Sequence, residues 1–173
     1  GTLFEIAMWQ GKLESYLQRA AELGFTGIEV SDGTIPLSTK ERRRAIQSAK
    51  AHGFKVVTEV GKKNGTPIPV LRMQQIIADD LEYGADKVII EGRESGKAVG
   101  IYDLNGIVKE AEMEALVHGL PNLESALIWE APLKSQQVCL IKRFGPNVNL
   151  GNIAPEETLA LEALRCGLRG DTL

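Results

Sequence analysis

Three segments of the chain share one pattern: a helix stopped by glycine, a short apolar strand, a glutamate, then a polar loop carrying glycine. They are Gly24-Phe25 with Ile28-Glu29-Val30-Ser31-Asp32-Gly33, then Gly53-Phe54-Lys55-Val56-Val57-Thr58-Glu59-Val60-Gly61, then Gly84-Ala85-Asp86-Lys87-Val88-Ile89-Ile90-Glu91-Gly92. Their glutamates lie 30 and 32 residues apart, the length of one βα unit. Ala126-Leu127-Ile128-Trp129-Glu130-Ala131-Pro132 and Asn147-Val148-Asn149-Leu150-Gly151-Asn152 read as two further units. Continuous Val- and Ile-rich runs suit parallel strands buried on both faces.

The segments between them read as helices. Leu13, Tyr16, Leu17, Ala20 and Ala21 share a face that ends at Gly24. Ser38-Thr39-Lys40-Glu41 fits a capping box, with its helix running to His52. Met73, Ile76, Ile77 and Leu81 form a third stripe, and Pro155 suits the first turn of a last helix. The class is therefore α/β with a parallel sheet of about five strands. Two architectures carry that pattern: an open flavodoxin-type sheet, or part of a (β/α) TIM-type barrel, which needs eight strands and roughly 250 residues. The opening Gly1-Thr2-Leu3-Phe4-Glu5 reads as the loop after a preceding strand, which favours the partial barrel. The expectation is one domain over residues 1–173, incomplete at its N-terminus.

Composition excludes several function classes. A net charge of −3 leaves no broad basic surface for nucleic acid or anionic membrane. The Lys40-Glu41-Arg42-Arg43-Arg44 run is expected as a solvated helix face. Cys139 and Cys166 lack a CxxC or His/Cys partner and read as free, mostly buried thiols of a reducing compartment. With no signal peptide and no long apolar run, a cytoplasmic location is expected.

Ligands of such folds bind beyond the carboxyl ends of the strands. Glu29, Asp32, Glu59, Glu91 and Glu130 fall there, with Lys62, Lys63, Arg93, Ser95, Asn149 and Asn152. One strand-end glutamate is usually a salt-bridge partner, but four in equivalent positions point to a hard divalent cation such as Mg²⁺. The lysine, arginine and glycine amides can hold a phosphate or carboxylate. Lys62-Lys63 alone is usually a solvated pair, yet directly after a buried strand one of them can enter the site. The long Gly92–Gly106 loop reads either as a mobile connection or as a functional one. His52 and His118 read as capping or surface residues.

Six ordered segments then carry a resemblance. They are Gly1-Thr2-Leu3-Phe4-Glu5; Ile28-Glu29-Val30-Ser31-Asp32-Gly33; Thr58-Glu59-Val60-Gly61-Lys62-Lys63; Val88-Ile89-Ile90-Glu91-Gly92-Arg93-Glu94-Ser95-Gly96; Glu130-Ala131-Pro132 with Ser135-Gln136-Gln137; and Gly167-Leu168-Arg169-Gly170-Asp171-Thr172. Together they resemble the phosphosulfolactate synthase family over essentially the whole chain. The resemblance implies a TIM-type barrel lyase that adds sulfite to phosphoenolpyruvate with Mg²⁺, giving (2R)-phospho-3-sulfolactate on the way to coenzyme M or sulfolactate. It implies Lys63 as the acid that protonates the adduct, with Lys62 as its alternative. It implies Glu59, Glu91 and Glu130 around the metal, and Arg93, Ser95, Gly96 and Asn152 on the substrate. Family members also carry further strands before the position of Gly1, with Asp-Lys-Gly and Lys-Phe-Gly-Trp-Gly motifs, and a longer loop where Asn64-Gly65-Thr66-Pro67 stands here. An exposed sheet edge would favour a homo-oligomer. The competing readings are another enolate chemistry on the same barrel and a non-catalytic, stress-related relative.

Overall fold

Each apolar run becomes a strand and each glycine-stopped stripe a helix. The computed structural model describes residues 1–62 and 64–172. In chain order the elements are α1 (Thr2–Trp9), α2 (Leu13–Glu22), β1 (Gly27–Val30), α3 (Thr39–Ala51), β2 (Lys55–Val60), α4 (Val70–Glu82), β3 (Lys87–Ile90), α5 (Glu110–His118), β4 (Leu127–Glu130), α6 (Lys134–Phe144), β5 (Leu150–Gly151) and α7 (Thr158–Arg165). The α3 capping box forms as expected: Ser38 Oγ accepts from Glu41 N, and the Glu41 carboxylate accepts from Ser38 N.

The five strands are parallel and lie in the order β1-β2-β3-β4-β5. A flavodoxin-type sheet would place its second strand at the edge and reverse direction at a switch point. Strictly sequential neighbours are instead the arrangement of consecutive barrel strands, so the fold is α/β of partial TIM-barrel type.

Register decides which side chains face where. Ile28 lies beside Val56, Thr58 between Val30 and Val88, and Ile90 between Val60 and Trp129. These residues form one face, fully buried beneath the helices. Side chains alternate along a strand, so Glu29, Val57, Glu59, Ile89, Ile128 and Glu130 occupy the opposite face. The apolar core falls into two parts. One is built on β1, α2 and α3 around Leu17, Ile46 and Val56; the other runs from the end of β2 through α4 to α7 around Ile77, Leu116 and Leu140.

Three expectations are corrected. The opening segment is a helix, not a loop, because Phe4 is fully buried in the first core cluster and Glu5 is buried beside it. Cys139 is half-buried but Cys166, at the end of α7, is exposed. Arg42 leaves the solvated face and is buried between α3 and α4. The Gly92–Gly106 segment is a packed loop, since Val99, Ile101 and Tyr102 join the second core cluster.

Glu5 explains how the loop after β1 holds its shape. Its carboxylate accepts from Ser31 Oγ at 2.9 Å and from the backbone N–H groups of Thr34 and Ile35, each at 2.9 Å. Glu5→Ala would strand these donors beside a buried gap. A stability loss of about 3 kcal/mol is expected, read as a melting temperature lower by roughly 6–12 °C. A shift under about 2 °C would show that water replaces the carboxylate without cost.

Candidate active site

Beyond the carboxyl ends of the strands lies an open cavity of about 630 Å³. Its walls carry Glu29 from β1, Glu59 from β2, Glu91 directly after β3, Glu130 from the end of β4 and Asn152 after β5. Arg93, Glu94 and Ser95 enter from the loop after β3, and Gly1 and Thr2 from the start of the chain. The four strand-end glutamates therefore converge on one rim.

Two glycines make the convergence possible. Gly61 has φ 151°, and a Cβ there would lie 2.2 Å from Glu91 Cβ. A Cβ on Gly92 would lie 2.6 Å from the Glu130 carbonyl oxygen. Only glycine lets these neighbouring strand ends approach so closely. Backbone amides then orient the carboxylates. Gly92 N donates to Glu130 Oε2 at 2.8 Å, and Arg93 N donates to Glu91 Oε1 at 2.8 Å. Arg93 and Asn152 both hold left-handed backbone, with φ of 57° and 56°. The Asn152 amide donates to the Arg93 carbonyl at 2.8 Å, so the two strained residues brace each other.

A second layer fixes the loops. Gln136, fully buried, donates to the carbonyls of Gly96 at 2.7 Å and Gly106 at 3.0 Å. Gln137 donates to Ala131 O, and the Tyr102 hydroxyl donates to Glu130 O at 2.6 Å. Burial pushes the Tyr102 phenol well above its usual range, so it remains a donor.

Burial also raises the Glu130 carboxyl, and the neighbouring Glu91 charge adds to the effect. Glu91 Oε2 is itself buried and takes no hydrogen bond from a donor group. Five carboxylates (Glu29, Glu59, Glu91, Glu94 and Glu130) face one guanidinium among the described walls. Carboxylates gathered on one wall make the local potential more negative, which favours the approach of cations. Among the described residues no group of three or more His, Cys, Asp or Glu side chains is placed to hold a metal ion. Mg²⁺ typically takes one or two carboxylates and completes its shell with water and substrate phosphate. The Glu91–Glu130 pair fits that role, with Glu59 on the same wall.

Other candidates lie elsewhere. Lys62 Nζ donates to Asp32 Oδ2 at 2.8 Å and to Asp32 O at 2.6 Å, and neither residue lines the rim cavity. Gly96 packs against Gln136 and Pro132, away from the cavity. Asn149 sits before β5 and donates to Ser125 O and Leu127 O, below the rim. Lys63 lies outside the described residues. Sequence reasoning missed the supporting residues Arg42, Tyr102 and Glu5. Local sequence carried no signal for them, because the partners of all three are distant in sequence. No helix among the described residues is long and apolar enough to cross a membrane.

Residues 1–171 match the family described as (2R)-phospho-3-sulfolactate synthase (ComA). The chain is 49% identical to the phosphosulfolactate synthase of Methanothermobacter thermautotrophicus, an alignment that covers 100% of this chain and 67% of that protein. Identity to the Methanocaldococcus jannaschii phosphosulfolactate synthase is also 49%, covering 99% of this chain and 69% of the other. The Bacillus subtilis phosphosulfolactate synthase is 38% identical over 99% of this chain and 68% of its own length.

Two outcomes follow from the rim geometry. A carboxyl raised by folding costs stability as pH climbs from its unfolded value through its folded one, because the native state then gives up a proton it prefers to keep. Glu130→Gln should therefore melt above the parent at neutral pH, with the gap closing as pH falls to about 4. A constant gap across that range would assign it to packing instead. Gly61→Ala should displace Glu91 and destabilise the fold by roughly 2 kcal/mol or more; a crystal structure with Glu91 unmoved would refute the steric argument.

Proposed function

The chain belongs to the (2R)-phospho-3-sulfolactate synthase family, and from that premise we propose that it adds sulfite to phosphoenolpyruvate to give (2R)-phospho-3-sulfolactate. The observation that carries the reading is the convergence of Glu29, Glu59, Glu91 and Glu130 on one cavity, within a match that runs almost end to end. In this reading the sulfur lone pair of sulfite forms a bond to C3 of phosphoenolpyruvate. The C2–C3 π electrons move onto C2 and its carboxylate, and C2 then takes a proton. No group leaves, so the phosphate ester survives in the product.

Glu91 and Glu130, supported by Glu59, would hold Mg²⁺. When bound, the ion supplies charge neutralisation for the substrate phosphate and the developing enolate. The residues of the chain do the rest. Arg93 would pair with phosphate or carboxylate, and Ser95 and Asn152 would fix the substrate's orientation on the same wall. Lys63, next in sequence after Lys62, would deliver the proton to C2. The ion pair of Lys62 with Asp32 supports Lys63 over Lys62 in that role. The enzyme would work in the cytoplasm on small molecules. Among the described residues no further strand pairs with β1 or β5, and Leu3, Leu23 and Phe25 are exposed near β1, which supports assembly of copies into a homo-oligomer.

Incubation of the protein with phosphoenolpyruvate, sulfite and Mg²⁺ should yield phosphosulfolactate, detected by ³¹P NMR and mass spectrometry. Lys63→Ala should lower turnover roughly a hundredfold or more, while phosphoenolpyruvate binding persists. Turnover close to the parent's in Lys63→Ala would remove Lys63 as the acid. Absence of product from the parent protein under all divalent ions tested would overturn the activity itself.

A further inference from the structure

Behind the rim, on the helix side of the sheet, four charged side chains join α3, α4 and the loops after β1 and β2. Arg42 Nε donates to Asp80 Oδ1 at 2.7 Å, and Nη2 donates to Asp80 Oδ2 at 2.6 Å. Nη2 also donates to the carbonyl of Glu59 at 2.9 Å, and Nη1 donates to Asp32 Oδ1 at 3.0 Å. Asp32 in turn takes the Lys62 ammonium on its other oxygen. Two cations and two carboxylates balance, which is how so many charges tolerate burial together. Burial alone would lower the Arg42 pKa, but Asp80 outweighs it and the guanidinium stays charged. The group sits between α3 and α4, where the two halves of the apolar core meet.

We infer that Arg42 is a positioning residue: with Asp80 as its anchor and Asp32 as its relay, it clamps the segment Glu59–Lys62 at both ends and so sets the rim. One end is held through the Glu59 carbonyl, the other through Asp32 and the Lys62 ammonium. Between the two grips, Gly61 lies against Glu91. The clamp thus controls Glu59 directly, Glu91 through the Gly61 contact, and the point from which the chain continues to Lys63. The geometry requires arginine. Three nitrogens in one rigid plane serve four acceptor atoms on three residues, which a lysine ammonium cannot reproduce. A buried ion pair that served only to join α3 to α4 would need Asp80 and neither the Glu59 carbonyl nor Asp32.

The inference rests on the proposed synthase activity only for its kinetic readout; its structural readout is independent. Arg42→Met, Arg42→Lys and Asp32→Asn would be compared with the parent protein by hydrogen exchange and by steady-state kinetics. Arg42→Met should exchange the amides of residues 59–62 roughly tenfold faster or more, while the centre of β3 and β4 keeps its protection. Its turnover at saturating phosphoenolpyruvate should fall roughly tenfold or more, with a smaller change in KM, as misplacement of reacting groups demands. Arg42→Lys should fall between, and Asp32→Asn should loosen only the Lys62 end. If Arg42→Met does not fold, Asp32→Asn decides by the same exchange measurement, since it cuts the relay outside the core. A lower melting temperature with parental exchange at residues 59–62 and parental turnover would reduce Arg42 to a structural tie and overturn the inference. If the parent makes no phosphosulfolactate, the activity fails while the exchange pattern still decides the clamp.

Discussion

The parallel register from β1 to β5 is the constraint on which the rest of the molecule depends. Alternation along a strand leaves no freedom: once Ile28, Val30, Val56, Val60, Val88, Ile90 and Trp129 turn toward the helices, Glu29, Glu59 and Glu130 must turn away. A slip of one residue in β2 would turn Glu59 under the helices and Val60 toward the opposite face, exchanging a carboxylate for a core side chain. Burying apolar surface and presenting carboxylates are therefore one event. The same register brings Gly61 against Glu91 and Gly92 against Glu130, so the approach of the acidic groups is built from backbone contacts.

Electrostatics explains how such an acidic rim is tolerated. Burial is the main cause that raises the Glu130 carboxyl, and the Glu91 charge beside it adds to the rise, which a neutralising cation would oppose. The nearby lysine that might have done so, Lys62, is already committed to Asp32. Arg42 is committed to Asp80. Lys62 and Arg42, behind the rim, thus support the backbone that carries the carboxylates.

The fold was legible in the chain because its signals are local. Strand–glutamate–glycine units near 30 residues, the Ser38/Glu41 box and the stripe of Met73, Ile77 and Leu81 each concern residues close in sequence. The rim glutamates were legible for the same reason, since strand ends can be located from the apolar runs. The errors share the opposite cause. Arg42 looked like part of a solvated basic run because Asp80 and the Glu59 carbonyl lie far away in sequence. Gly1–Glu5 looked like a loop because the burial of Phe4 against α2 and β1 has no local signature. The partners of Gly96 and Asn149, Gln136 and the Ser125 carbonyl, are likewise distant in sequence.

By itself the sequence determined the class of the fold, the number of strands and which acidic residues stand at the carboxyl ends of the strands. Those follow from periodicity and from the steric needs of glycine, which act over a few residues. Tertiary structure alone decided the sequential strand order, the burial of Arg42, the commitment of Lys62 to Asp32, and the placing of Glu91 beside Glu130. Each of these depends on distances between groups brought together only when the sheet has formed. A charged side chain's role depends on which opposite charge reaches it first, and no local pattern encodes that.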